Sequence, residues 1–305
     1  MTEAPGHRRP PDAEEHARQV AAMVRAIGRH PDYRVLRRIK PMRRTAPGGI
    51  RPEMMCGCAI DVETTGLDHR KDEIIELAMQ RFWTDAEGRI VATGRRVSWL
   101  EEPAVAEISE EITRVTGLTA DDVRGRSITD AEAITLLRDA HVVVAHNAGF
   151  DRPFVESRLP GAAGLRWVCS MRDVDWRAHG FEGRVLGHLL GQMGWFHSAH
   201  RAQADVDALL HLLDHPVGAT TVFREAVTTA SRPTWRISAI DAPYGAKDAL
   251  KARGYRWNGE AKVWSKEVAR DGLDDEIGWA IGSVYAGRGR PRFDRITWND
   301  RYAGV

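Results

Sequence analysis

The rhythm of apolar and polar positions changes twice along this chain. In the first stretch Val20, Met23, Val24 and Ile27 recur at i, i+3, i+4 and i+7, with Glu14 and Glu15 near the start and Gly28 at the end. That spacing predicts a helix over residues 12–28. Tyr33–Ile39 is a second basic, amphipathic piece, and Pro41–Pro52, with three prolines, two glycines and Arg43, Arg44 and Arg51, reads as a linker. From residue 53 the period becomes that of strands. Met54–Cys58 is apolar and runs on to Glu63, Glu73–Phe82 follows, and Arg89–Leu100 comes after a turn at Asp85–Gly88. Three strands with short connections predict an antiparallel meander.

Beyond residue 100 helical signals alternate with buried strands. Thr129 and Glu132 have capping-box spacing ahead of Leu136 and Leu137, and His141–His146 is near-continuously apolar in the manner of a parallel strand. Trp167–Ser170 is a further strand, and Val185–Met193 and Val206–Leu213 carry helical periodicity. The sum is one mixed α/β sheet. The rhythm shifts again near Ser231-Arg232-Pro233. Trp235–Ile240 reads as a strand, Lys247–Arg253 as a helix stopped at Gly254, and Asn258-Gly259 as a hairpin turn. Gly272–Ala286 reads as a closing helix and Arg288–Arg295 as a basic tail. The expected organisation is a helical extension and basic linker (1–52), an α/β domain (53–230) and a small α+β module (231–305).

Composition narrows the class. Hydrophobic residues make up 43% and charged residues 29% of the chain, ordinary for a soluble globular protein. No apolar run reaches membrane-spanning length and no signal-peptide core follows Met1, so no membrane association is expected. Cys56, Cys58 and Cys169 are too few and too strand-embedded for a disulfide framework, which points to a reducing, cytoplasmic setting. The net charge of +1 hides an asymmetry: residues 1–52 carry +7, residues 231–305 carry +4, and the middle carries −10. An acidic centre with basic flanks suits a metal-dependent enzyme that approaches a polyanion.

The candidate chemistry begins with Asp61 and Glu63. On a strand they share a face about 7 Å apart, opposite to Cys56, Cys58, Ile60 and Val62. Two carboxylates together at a strand end are stable beside a divalent cation, though a pair of solvated acids satisfies the same spacing. Asp151 precedes Arg152-Pro153 in the expected place of a helix cap. Asp205 lies early in the helix of Val206 and Leu209, with His200 five residues before it.

Together these segments, Asp61-x-Glu63-Thr-Thr-Gly, His146-Asn-Ala-x-Phe-Asp151 and His200-x4-Asp205, resemble the exonuclease superfamily named for its Asp-Glu-Asp-Asp carboxylates, in the branch of the proofreading epsilon subunit of bacterial DNA polymerase III. The resemblance covers about residues 53–215. It implies a ribonuclease-H-like fold, two Mg²⁺ or Mn²⁺ ions held by Asp61, Glu63, Asp151 and Asp205, and His200 as general base. A sister branch has Tyr four residues before the last Asp; Arg201 stands there in this chain, which places it in the His branch. The same resemblance implies removal of 5′-mononucleotides from 3′ ends, with Thr64, Thr65, Gly66, Leu67, Asn147 and Phe150 around the terminal nucleotide. DNA is the expected substrate and a DNA polymerase or repair complex the expected protein partner. RNA 3′-end trimming is an alternative, and so is a nucleic-acid-binding or polymerase-tethering subunit with secondary catalysis. Leu250-Lys-x-x-Gly-x-x-Trp257 followed by Lys262-x-Trp264 resembles a small module of bacterial DNA-metabolism and plasmid-transfer proteins. Its tryptophans are read first as core, and second as a platform for single-stranded bases.

Overall fold

A computed structural model describes residues 13–259 and 261–303. The first twelve residues of the expected extension, the last two of the expected module and Glu260 lie outside the described residues. Helix α1 spans Ala13–Ile27. The central sheet has five strands, β1 (Met55–Thr64), β2 (Ile74–Thr84), β3 (Ile90–Leu100), β4 (Val142–Ala145) and β5 (Trp167–Cys169). Their order across the sheet is β3-β2-β1-β4-β5. The meander β1-β2-β3 is antiparallel, and β4 and β5 add in parallel to β1. A mixed sheet of this kind, carrying helices on both sides, is consistent with a ribonuclease-H-like fold.

Strand alternation sorts the residues onto two faces, and each face finds its helices. On one face Ala59, Phe82, Val142, Val144 and Val168 pack with α4 (Leu186–Gln192), α5 (Ala202–Leu213) and α6 (Val222–Ser231). On the other Ile60, Val62, Leu77, Met79 and Val143 pack with α2 (Asp130–Arg138) and α3 (Ala148–Arg158). The strands are apolar on both sides because both sides are covered. Gly57 is needed in β1: a Cβ there would lie 2.4 Å from Cζ of Phe82.

Three local expectations give way to the fold. The Pro41–Pro52 segment is not a free linker. Ile39, Met42 and Ala46 are buried, Arg37–Arg38 pairs in parallel with Trp195–Phe196, and Arg44 bonds Asp214 at 2.7 Å. Thr129 makes no side-chain cap and Glu132 pairs with Arg95; a capping box forms instead between Thr119 and Asp122. The Arg288–Arg295 tail contains a strand.

That strand, β9 (Arg292–Ile296), completes a second sheet with β6 (Thr234–Ala239), β7 (Arg256–Asn258) and β8 (Val263–Val268), in the order β7-β8-β6-β9 and antiparallel throughout. Helices α7 (Lys247–Ala252) and α8 (Leu273–Trp279) accompany it, and α8 passes into one π-helical stretch, Ala280–Val284. Ile237, Leu250, Tyr255 and Leu273 form its core, with Trp235 and Trp264 against them; Trp257 is half exposed. After β9 the chain returns to the first domain. Trp167 N donates to Trp298 O at 3.0 Å, closing the free edge of β5, and buried Arg152 donates to the carbonyls of Asn299 and Arg301. Among the described residues no helix is long and apolar enough to cross a membrane.

Candidate active site

The carboxylates meet at the C-terminal edge of the parallel strands. Asp61 and Glu63 project from the face of β1 that also carries Ala59, toward α5. The apolar stripe of α5, Val206, Leu209, Leu210 and Leu213, fixes that helix on the sheet and brings Asp205, in its first turn, over the strand end. Ligand oxygens of Asp61, Glu63 and Asp205 lie within 4.8 Å of one another. The β1–β2 register shifts between Glu63 and Thr64, so the strand bends where the acids cluster.

Asp151 arrives from the opposite layer. Helix α3 begins at Ala148, four residues earlier than expected, with Asn147 at its cap making no side-chain capping bond. Asp151 is therefore in the first turn rather than ahead of it, and Pro153 lies inside the helix. Pairing of β4 with β1 reaches Ala59↔Val144 and stops, which leaves the backbone beyond it on that side open. The buried Asp151 carboxylate takes the N–H of Val62 there, as well as its own.

Burial first, then mutual repulsion, sets the protonation of this cluster. Asp61 is held well above the usual carboxylate range by its protein surroundings and by the charges of Asp151, Asp205, Glu63 and Glu76 in turn. Glu63 is raised to about 8 by burial and by Asp205, Glu76 and Asp151, with Arg201 opposing. Asp151 is raised to about 7 by burial, against its two backbone hydrogen bonds. Acids forced together in this way, offering only hard oxygen donors, fit divalent Mg²⁺ or Mn²⁺. Asp61, Glu63 and Asp205 would hold such an ion directly.

His200 is exposed and its backbone is left-handed, φ 64°. A non-glycine residue there costs on the order of 1 kcal/mol or more and must be held by its surroundings. The Asp205 carboxylate does this, accepting from His200 N at 2.9 Å and Arg201 N at 3.3 Å. Among the described residues the His200 ring makes no hydrogen bond. The imidazole that meets Asp205 is that of His197, with Nε2 2.8 Å from Oδ1 and its side chain 6% exposed. Eight residues and a loop separate His197 from Asp205 in sequence, so their spacing does not signal the pair.

Glu76 supplies a second anchor. Buried Glu76 faces Glu63 across the strands, but its oxygens are taken: Ser98 Oγ donates at 2.9 Å, Arg201 Nε at 3.1 Å and Ala202 N at 3.3 Å. Glu76 thus ties the His200 loop to the sheet and is spent as a ligand. His146 is likewise structural. Burial lowers its pKa to about 4, so the neutral ring bonds Ser170 Oγ and the carbonyl of Arg184.

The remaining expected residues separate by environment. Thr64 Oγ1 donates to Gly66 O at 2.6 Å and Thr65 Oγ1 to Asp72 at 3.3 Å, so both hydroxyls shape the turn. Gly66 has no room for a side chain, since a Cβ would sit 2.5 Å from the Asp72 carboxyl. Leu67 is 86% exposed beside the acids, and Phe150 is half-buried against Phe154 with ring centroids 5.0 Å apart.

Comparison with known proteins follows the same residues. The family model described as Exonuclease (RNase_T) matches residues 58–213. A PolC-type DNA polymerase III of Thermotoga maritima is 36% identical over 111 residues, 35% of this chain and 8% of that protein. Ribonuclease T of Haemophilus influenzae is 32% identical over 108 residues, 32% of this chain and 47% of that protein. The matches therefore span about half or less of each relative. Among solved structures, a zinc-bound complex of E. coli ExoI with single-stranded DNA aligns at TM-score 0.45 and 16% identity, covering 76% of this chain and 68% of that one.

Proposed function

The chain belongs to the RNase_T exonuclease family, and from that premise we propose that it is a metal-dependent 3′→5′ exonuclease releasing 5′-mononucleotides from DNA ends. The observation that carries this reading is the convergence of Asp61, Glu63 and Asp205, from segments about 140 residues apart, to within 4.8 Å. Asp151 lies outside that group of three, bonded to the N–H of Val62 between Asp61 and Glu63, and is the fourth carboxylate of the proposed set. Two bound divalent ions would supply charge neutralisation and Lewis-acid stabilisation of a phosphodiester undergoing in-line displacement.

The chain's own groups supply the rest. Asp205 is presented rigidly, one oxygen on the His197 ring and the other on the backbone of His200 and Arg201. The His200 ring, standing free on a loop fixed by the Arg201–Glu76 pair, takes the proton of the attacking water at a ring nitrogen. Exposed Leu67 offers an apolar surface to the terminal base, and Phe150, Asn147 and the Thr64-Thr65-Gly66 turn complete the proposed pocket. The PolC-type relative supports DNA as substrate and a DNA polymerase as partner; the ribonuclease T relative supports RNA as the second reading. Matched single-stranded DNA and RNA oligonucleotides, 5′-labelled and incubated with Mn²⁺, test the proposal. A ladder shortening from the 3′ end on DNA, absent in Asp61→Asn, is expected. Faster trimming of RNA would replace the substrate, and cleavage by Asp61→Asn would overturn the site.

A further inference from the structure

Where the second sheet meets the catalytic domain there is a cleft of about 670 Å³, bordered by Gly149, Arg172, Arg232, Arg236, Glu267 and Tyr302. Three of its borders are arginines whose guanidinium groups form no ion pair or hydrogen bond among the described residues. Arg172 and Arg232 are exposed and Arg236 is half-buried. The acids nearby are already engaged. Asp173 accepts from Cys169 N at 2.7 Å and from the Tyr302 hydroxyl at 2.8 Å. Arg236 stands in register between Glu267 and Asp294, but Glu267 is bonded by Arg301 and Thr234, and Asp294 by Arg292 at 2.8 Å. It acts at longer range on Asp300, whose carboxylate is held by Thr297. The lining carries Arg172, Arg232, Arg236 and Arg301 against Asp173 and Glu267, four cations to two anions, so the cleft is net positive.

Topology ties this charge to the carboxylates. Strands β1, β4 and β5 are parallel neighbours, so their C-terminal ends lie along one edge of the sheet. Asp61 and Glu63 leave that edge from β1, Asn147–Asp151 follows β4, and Arg172 follows β5. Two strand spacings, about 10 Å, therefore separate the acids from Arg172. A short run of single strand ending at the acids spans that distance. Gly149, between the two, has no side chain to obstruct the way; the nearest side-chain atoms to a Cβ there belong to Arg172 and Tyr302, at 3.8 Å.

We propose that this cleft holds the sugar–phosphate backbone of a single-stranded polynucleotide whose 3′ end lies at the carboxylates, so that the second domain is part of the substrate path. The inference rests on the exonuclease reading, but binding tests it separately from cleavage. The affinity of a fluorescent single-stranded oligonucleotide, measured by anisotropy in EDTA across a salt series, gives the number of phosphates neutralised. Each contributes about 0.7 to the slope of log affinity against log salt on single strands. The triple variant Arg172→Gln, Arg232→Gln, Arg236→Gln should lower that slope by about 2, while the corresponding triple Lys variant keeps it. Hydrolysis of thymidine 5′-monophosphate p-nitrophenyl ester, too short to reach the cleft, should be unchanged in both. An unaltered slope in the Gln variant, or an equal loss in the Lys variant, overturns the cleft. A wild-type protein that shows the expected slopes yet cleaves neither oligonucleotide nor ester overturns the exonuclease reading and leaves the cleft standing.

Discussion

Stripped of divalent metal, the acid cluster should withdraw stability from this protein as the pH rises from about 5 to about 8, the reverse of ordinary carboxylate behaviour and opposite to the gain from buried His146, lowered to about 4. Glu63 binds its proton up to about pH 8 in the folded chain against 4.5 when unfolded, and Asp151 up to about 7 against 3.8. Between those limits the native state holds protons that the unfolded chain has released, so the unfolding free energy must fall with rising pH. Its contribution is complete below the unfolded values and is gone above the folded ones. A gap of about three pH units corresponds to about 4 kcal/mol for a single group. Burial is the first cause of both gaps and neighbouring acids are shared between them, so they are not added. At about 2–4 °C per kcal/mol, about 4 kcal/mol is a drop of roughly 8–16 °C in Tm relative to the Mn²⁺-filled protein. Thermal unfolding in EDTA at a series of pH values measures it directly. Saturating Mn²⁺ should abolish the drop, because the cation replaces the protons, and Asp61→Asn should shrink it. His146 is common to both forms, so a gap between the Mn²⁺ and EDTA Tm values that does not widen between pH 5 and 8 would refute the account of a strained acid cluster.

Three further outcomes follow from the contacts around it. His200→Ala should retain Mn²⁺ binding by calorimetry while kcat falls about 10²–10⁴-fold; loss of the metal itself would make His200 a ligand and not a base. His197→Ala should weaken Mn²⁺ affinity about 10-fold or more by releasing Asp205, with His197→Gln recovering part of it, whereas equal affinities in all three would deny the ring any positioning role. Gly57→Ala should destabilise the domain by about 1–3 kcal/mol in urea unfolding, because the new methyl meets the Phe82 ring; a neutral substitution would mean the ring has room to turn.

The sheet was legible in the sequence because strand alternation and buried apolar runs report directly on which residues are covered. The meander of β1, β2 and β3 and the parallel strands β4 and β5 follow from those patterns alone. The acids were legible as a set only through three spaced motifs; no single carboxylate is distinguishable from a helix cap or a solvated strand end. What remained hidden depends on contacts between distant segments. Asp151 sits inside α3 because Asn147 opens the helix early, which Pro153 obscured by resembling a first-turn residue. His197, Arg201 and Glu76 are joined by a loop whose left-handed turn at His200 has no glycine to signal it. Residues 41–52 read as a linker since prolines, glycines and arginines dominate them, while the buried Met42 and Ala46 do the packing, next to Ile39 of the preceding amphipathic piece.

The return of the chain after β9 has a mechanical consequence. A module joined only at Ser231–Pro233 would swing on a pivot, and anything it gripped would reach the acids at varying lengths. Here Trp298 seals the rim of β5, Arg301 locks onto the carbonyls of Ala230 and Arg232, and the Tyr302 hydroxyl bolts to Asp173. Two fastenings turn a flap into a bracket, and a bracket keeps one gauge. On the proposed substrate path, the count of nucleotides between grip and cut would then be a constant of the molecule.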